Sequence, residues 1–180
     1  MNTELTIRRS QDDPIRSGIY RIAGILIACA GVLWAMINIS FIITYLINPM
    51  SFILSWIVTV LLQLLGEPVY QTGLSVSSPV VHLEITPACT GIYQIVVLSG
   101  GLIALSKTGR ERTRGIILGS ILLVSINIFR ITSIYYVALL IPEWVPFIHG
   151  VFWEGVMVLF VPLFWIYWVG KNRIDTSSPL

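Results

Sequence analysis

The sequence predicts an all-α integral membrane protein with four transmembrane helices, one interfacial or re-entrant helix on the outer side and a small outer β-hairpin. Apolar residues make up 56% of the 180 residues and charged residues only 11%, whereas about a quarter of the residues of a soluble domain are charged. Basic clusters separate apolar runs of roughly the 20 residues that cross a bilayer. The net charge of +2 gives no electrostatic reason to expect a nucleic-acid partner.

Four apolar runs are long enough to be membrane spans. They cover about residues 22–47, 88–105, 116–141 and 151–169. The first run is longer than the roughly 7 to 15 apolar residues of a signal peptide, so it predicts a permanent anchor. The runs and the segments between them form one predicted domain, residues 22–170, between a basic tail at 1–21 and a second tail at 171–180.

The positions of the basic residues predict the orientation of the chain. Ten of the eleven lysines and arginines fall into three clusters: Arg8, Arg9, Arg16 and Arg21; Lys107, Arg110, Arg112 and Arg114; Lys171 and Arg173. Cytoplasmic loops carry an excess of such residues. Both tails and the loop 106–114 are therefore expected in the cytoplasm, and the stretch 66–87 is expected outside.

The apolar stretch 51–65 decides the topology. A cytoplasmic N-terminal tail and an outer stretch 66–87 require an odd number of crossings before residue 66. This parity predicts that 51–65 is an interfacial or re-entrant helix on the outer side. The alternative is a protein with five spans and an outer N-terminus.

The outer stretch 73–86 has the pattern of a small hairpin. A Ser77-Ser78-Pro79 turn signal separates two short runs, and in the second run apolar residues alternate with His82 and Glu84.

Arg130 is the one basic residue outside the clusters, and it lies near the middle of the third span. An arginine at this depth costs about 2.5 to 3.5 kcal/mol on insertion scales and is a functional candidate by default. Asn127, three residues earlier, shares its face of the helix. The alternative is a structural arginine satisfied by backbone carbonyls and Asn127.

Cys89 is predicted to open the second span. Thr86 followed by Pro87 is typical of an N-cap and a first helical residue, which puts Cys89 at the third helical position. There the helix dipole favours a thiolate, and free N–H groups are available to an oxyanion. The alternative is an inert buried cysteine. The other cysteine, Cys29, lies deep in an apolar run, and two cysteines are too few for a disulfide framework.

His149 precedes the last span on the predicted outer side, where it is a candidate general acid and base. It stands among Trp144, Phe147 and Trp153, so an aromatic belt at the membrane interface is the alternative.

The predicted topology brings these three residues toward one pocket that opens outward. A cysteine nucleophile, a histidine base and an arginine that stabilises an oxyanion or binds a carboxylate form a coherent set for acyl transfer. The histidines and glutamates lack any zinc-ligand spacing, and no glycine-rich phosphate loop is visible. No metal or cofactor is expected.

At these residues the chain resembles the exosortase/archaeosortase family of prokaryotic membrane enzymes, and in particular a compact member of it. The resemblance rests on Pro87-Ala88-Cys89-Thr90-Gly91, on Asn127-x-x-Arg130-Ile131, and on Phe147-Ile148-His149 with Gly155. It covers about residues 60–165.

The resemblance implies a membrane cysteine protease/transpeptidase in the prokaryotic cytoplasmic membrane, with its active site on the extracytoplasmic side. Its partners would be surface proteins with a C-terminal sorting signal, which it would cleave through a thioester before transfer to a lipid or other acceptor. Cys89 would be the nucleophile, Arg130 the oxyanion or thiolate stabiliser and His149 the general acid/base. The supporting or substrate-binding residues would be Asn127, Thr90, Gly91 and Glu154.

A function of another class also fits the sequence. In a non-catalytic transport or assembly subunit of the membrane, Arg130 would bind an anion or a partner helix.

The predicted orientation is testable by labelling. A cysteine introduced within residues 73–80 should react with a membrane-impermeant thiol reagent applied from outside the cell, because this stretch is expected on the outer face. Labelling that requires permeabilised cells would overturn the orientation and the shared pocket with it.

Overall fold

The computed structural model describes residues 43–175 without a break, together with residues 20, 23–25, 27–32, 34–35 and 38. The chain is mostly helical. The helices are α1 (Asn48–Leu64), α2 (Ile92–Leu105), α3 (Gly109–Leu140) and α4 (Trp153–Asp175). Three short strands, β1 (Tyr70–Thr72), β2 (Ser75–Ser77) and β3 (His82–Glu84), form an antiparallel sheet in the order β1-β2-β3.

Among the described residues, two helices are long and apolar enough to cross a membrane, Gly109–Leu140 and Pro142–Lys171. The second comprises a 3-10 turn (Pro142–Trp144), a single α-helical turn (Val145–Phe147) and a π-helical turn (Ile148–Phe152), followed by most of α4. The predicted span 88–105 yields the shorter apolar helix α2, which has 14 residues. The predicted span 22–47 lies partly outside the described residues, as do most of the tail 1–21 and the end of the tail 171–180.

Helix α3 begins at Gly109, seven residues before the predicted start of the third span. Thr108 and Glu111 form a reciprocal capping box, in which each side chain bonds the backbone N–H of the other residue. This cap satisfies N–H groups that the helix start would otherwise leave without partners. The basic residues of the predicted loop 106–114 therefore lie largely on the first turns of α3.

Helix α1 also begins earlier than the stretch 51–65 predicts. A π-helical turn, Ile43–Ile47, runs directly into it, and Ile47 itself has helical backbone angles, φ −79° and ψ −45°. The backbone therefore stays helical from residue 43 to residue 64, and the Asn48-Pro49 pair does not separate the end of the predicted span 22–47 from the stretch 51–65. Side-chain bonds from Gln71 to the Ser55 hydroxyl at 2.6 Å and the Phe52 carbonyl at 3.1 Å hold the sheet against α1.

The strands β2 and β3 lie within the stretch 73–86, where the sequence predicts a hairpin, and the sheet also contains β1, which the sequence did not predict. The residue pairs are Ser75 with Glu84, Val76 with Leu83 and Ser77 with His82. Between them the Ser78 hydroxyl accepts a hydrogen bond from the Val81 N–H at 2.9 Å and stabilises the turn.

Two large apolar clusters and a small third one, Ile47 with Ile92, form the core of the described part of the chain. The first joins α1, the sheet and one end of α3, and contains Leu54, Val58, Leu62, Val69, Val76, Val81, Ile85, Ile131 and Tyr135. The second joins α2, α3 and α4, and contains Leu98, Leu102, Leu123, Met157, Val161, Phe164 and Trp168. Gly119 allows the close approach in this second cluster, because a Cβ atom there would lie 2.6 Å from Leu98 Cδ2.

Three indole N–H groups of α4 bind the neighbouring helices. Trp153 donates to Ser133 Oγ at 2.9 Å, Trp165 to the Leu98 carbonyl at 3.0 Å and Trp168 to the Glu111 carbonyl at 3.2 Å. These bonds set the position of α4 along its length, and with it the position of the residues at its first turn.

Candidate active site

The structure brings the three candidate residues from separate segments to one place between the two large apolar clusters. Cys89 lies in a 3-10 turn, Pro87–Thr90, which follows β3. Arg130 lies on α3, between Leu123 of one cluster and Tyr135 of the other. His149 lies in a π-helical turn, Ile148–Phe152, which leads into α4.

The cysteine and histidine side chains face each other. His149 Nε2 lies 3.8 Å from Cys89 Sγ, and Thr86 Oγ1 lies 3.4 Å from the same sulfur. Both Cys89 and His149 are partly exposed. The sulfur therefore has a proton acceptor within contact distance and remains reachable by another molecule.

The Arg130 guanidinium is almost completely buried, with 1% of its side chain exposed. Its Nη2 atom donates a hydrogen bond to Glu154 Oε1 at 3.1 Å and lies 3.5 Å from His149 Nε2. Its Nη1 atom is buried and has no hydrogen-bond partner among the described residues. Such a donor is available to a group with negative charge that enters the site.

Asn127 positions the turn that carries the cysteine. Its Nδ2 atom donates to the Cys89 carbonyl at 2.5 Å, and its side chain is fully buried. Its Oδ1 atom has no partner among the described residues. Asn127 therefore bonds the cysteine turn, whereas the structural alternative expects it to satisfy Arg130.

A short chain of hydrogen bonds joins Arg130 to the start of α4. The Trp153 indole donates to Ser133 Oγ, and the Ser133 hydroxyl in turn donates to the Arg130 carbonyl at 2.7 Å. Trp153 is 5% exposed. Because Trp153 and Glu154 are adjacent in the chain, this contact and the ion pair fix the same helical turn against α3.

Cys89 is the third residue of a helical segment with Thr86 at its N-cap, as predicted, but that segment is the short 3-10 turn Pro87–Thr90, and the prediction that Cys89 opens the long second span is wrong. Gly91 has a φ of 72°, in the left-handed region, and α2 starts only at Ile92. The Cys89 N–H already donates to the Thr86 carbonyl at 2.8 Å. Cys89 therefore lies before the long helix and outside its first turn, and the argument from the dipole of that helix does not apply to it.

The neighbours of Cys89 in the turn have structural positions of their own. Thr90 is 4% exposed, and its hydroxyl accepts a hydrogen bond from the Ile92 N–H at 3.4 Å. At Gly91 a Cβ atom would come within 3.7 Å of the Asn127 side chain and of Met157 Cε. The left-handed backbone at Gly91 redirects the chain from the turn into α2.

Sequence reasoning missed two contacts of the site. Thr86 occupies the N-cap position of the 3-10 turn, as predicted, but its hydroxyl makes no cap bond and contacts the Cys89 sulfur, which the sequence did not indicate. Sequence reasoning did not identify Ser133, although its position three residues after Arg130 puts both on one face of a helix, a signal that could have found it.

The family model of the transmembrane exosortases matches residues 16–168 of the chain. The chain belongs to the exosortase family. Exosortases are membrane proteins of the cysteine-type transpeptidase class, and they act on proteins with C-terminal sorting signals. No curated protein and no solved structure matches the chain.

Whether Arg130 serves stability or chemistry can be decided by substitution in this exosortase. Arg130→Met should leave the free energy of unfolding in detergent within about 1 kcal/mol of the parent or raise it, because an apolar side chain replaces a buried charge. Glu154→Ala should lower it by about 1 to 3 kcal/mol, because the buried guanidinium loses its acceptor.

The partly exposed Glu154, with 44% of its side chain accessible, keeps the second effect below that of a fully buried pair. If Arg130→Met unfolds the protein more readily than Glu154→Ala, Arg130 is a structural residue.

Proposed function

We propose that this chain is a membrane-embedded cysteine protease/transpeptidase that cleaves a C-terminal sorting signal of surface-anchored proteins and transfers the new C-terminus to an acceptor. One observation carries the proposal: His149 Nε2 lies 3.8 Å from Cys89 Sγ and 3.5 Å from Arg130 Nη2. The candidate base, His149 Nε2, therefore lies close to both the candidate nucleophile and the buried cation, and the three groups come from separate segments. Membership of the exosortase family supports the substrate class.

In the first step the Cys89 thiol gives its proton to His149 Nε2, and the sulfur attacks the carbonyl carbon of the scissile peptide bond. The carbonyl oxygen takes up the electron pair and becomes an oxyanion. The Nη1 donor of Arg130, which is buried and has no partner among the described residues, stabilises this charge.

In the second step the tetrahedral intermediate collapses and the carbon–nitrogen bond breaks. His149 returns its proton to the leaving amine, and the substrate remains as a thioester on Cys89. A hydroxyl or amine of the acceptor, a lipid or another molecule, then attacks the thioester and loses its proton to His149. The released sulfur takes this proton back, and water in the same role gives simple hydrolysis.

The other residues of the site hold these groups in place. Glu154 orients the guanidinium through its 3.1 Å contact, and Asn127 holds the turn through the Cys89 carbonyl. Thr90 and Gly91 shape the turn itself. These positioning roles allow the reacting atoms to approach without a large rearrangement.

We place the active site on the extracytoplasmic side of the cytoplasmic membrane of a prokaryote, with both termini in the cytoplasm and residues 22–170 as one catalytic domain. The basic clusters around the first and last apolar segments and before α3 support this orientation. A substrate held by its own membrane helix would present its sorting motif at this outer face.

The two cysteines of the chain provide a matched test of the nucleophile. Cys89→Ala should abolish processing of a co-expressed surface protein with a sorting signal, because no other thiol lies near His149 among the described residues. Cys29→Ala should leave it unchanged, since Cys29 packs against Gly100 of α2. Processing is followed by the mobility of the surface protein on gels, at equal abundance of both variants.

Processing that survives Cys89→Ala would refute the proposed enzyme. It would leave the non-catalytic membrane subunit as the remaining candidate.

A further inference from the structure

The small sheet has an open edge that leads directly to the candidate nucleophile. Strand β3 is an outer strand of the sheet, and it ends at Glu84, five residues before Cys89. The side chains of His82 and Glu84 are exposed. The chain continues from β3 through Thr86, whose hydroxyl contacts the Cys89 sulfur.

The backbone of β3 bonds β2 only at alternate residues. The Ile85 N–H donates to the Leu74 carbonyl at 3.0 Å, and the Ser78 N–H donates to the Val81 carbonyl at 2.7 Å. In an antiparallel ladder the intervening residues, His82 and Glu84, direct their N–H and C=O groups away from the partner strand. The described residues offer these four groups no partner.

We propose that this edge binds the sorting motif of the substrate as an added β-strand, with the scissile bond beside Cys89. The proposal rests on the proposed function, since it assigns a binding place to the peptide that the site would cleave. Exposed backbone donors and acceptors match an extended polypeptide, which pairs through its own N–H and C=O groups. A lipid tail has no such groups.

The position and length of the edge favour the substrate as its occupant. Strand β3 and the cysteine turn are continuous in the chain, so a strand paired with His82 and Glu84 is guided toward the sulfur. Strand β3 has three residues, so its edge can pair with only a short extended segment. Side-chain recognition would then come from the neighbours of the edge, and affinity from the backbone pairing.

Two substitutions of Glu84 distinguish the contribution of its backbone N–H to substrate binding from the contribution of its side chain. Glu84→Pro removes an outward N–H, and an edge position tolerates proline because its N–H is not part of the ladder. Glu84→Thr removes the same carboxylate and keeps the N–H. The loss of one backbone bond to substrate should lower kcat/KM for a sorting-signal substrate about tenfold in the proline variant relative to the threonine variant.

Two control measurements make the result decisive. The two variants should have the same thermal stability in detergent and the same rate of Cys89 alkylation. Agreement in both shows that the sheet and the site are intact. If both variants then process the substrate equally, the edge does not bind the motif, although Cys89-dependent processing by the parent still supports the proposed function. If Cys89→Ala retains processing, the proposed function itself fails.

If the Glu84→Pro variant unfolds, a crosslinking measurement tests the proposal in its place. Glu84→Cys is combined with Cys89→Ala and Cys29→Ala, labelled with a benzophenone and irradiated in the presence of the substrate. A crosslink to the motif of the substrate supports the proposal. A crosslink to residues 1–19 of the same chain, to a second copy or to lipid alone overturns it.

Discussion

The burial of one arginine constrains the rest of this structure. The Arg130 guanidinium lies in an apolar helix at 1% exposure, where an unpaired charge is strongly unfavourable. Its ion-pair partner, Glu154, comes from the first turn of the next helix. The contact between Glu154 and Arg130 joins the first turn of α4 to α3 beside the bond of Trp153, and the turn that carries His149 leads into this part of α4.

The region around Arg130 and Asn127 lies between the two large apolar clusters. It contains polar groups whose hydrogen bonding is only partly satisfied. Arg130 Nη1 and Asn127 Oδ1 are both buried and have no partner within the described part of the chain, although buried polar groups are as a rule hydrogen-bonded. Incomplete pairing of this kind weakens a fold that is used only as a scaffold. It suits a site in which the substrate supplies the missing partners, an oxyanion for Arg130 Nη1 and a hydrogen-bond donor for Asn127 Oδ1.

The sequence predicted that Cys89, Arg130 and His149 lie close together, as the structure shows, but it misplaced the bounds of the elements that carry them. A lone arginine within an apolar run and a cysteine after Thr86-Pro87 are local signals. The orientation predicted from the positions of the lysines and arginines then indicated that these residues lie near one pocket. The start of α3 was missed because the capping box of Thr108 and Glu111 lies inside a basic stretch that resembles a loop. The cysteine turn was misjudged because Gly91 adopts a left-handed φ of 72° that separates the turn from α2, and a glycine within an apolar run does not reveal this conformation.

Other features were beyond the reach of local patterns. Strand β1 has three residues, too few for a period-2 signal, and its pairing depends on contacts with α1. The bond from Asn127 to the Cys89 carbonyl joins residues 38 positions apart, and the ion pair of Arg130 joins residues 24 positions apart. Such long-range polar contacts are set by the packing of the helices, which the sequence does not display.

The central claim, that Cys89 is the nucleophile of an acyl transfer, is tested most directly by trapping its acyl intermediate. The chain is incubated with a sorting-signal substrate without acceptor, quenched in acid, digested and analysed by mass spectrometry. We expect a substrate peptide attached to Cys89 through a thioester that hydroxylamine releases, and no adduct on Cys29. A substrate peptide attached to any other residue, or processing without a covalent intermediate, would contradict the claim.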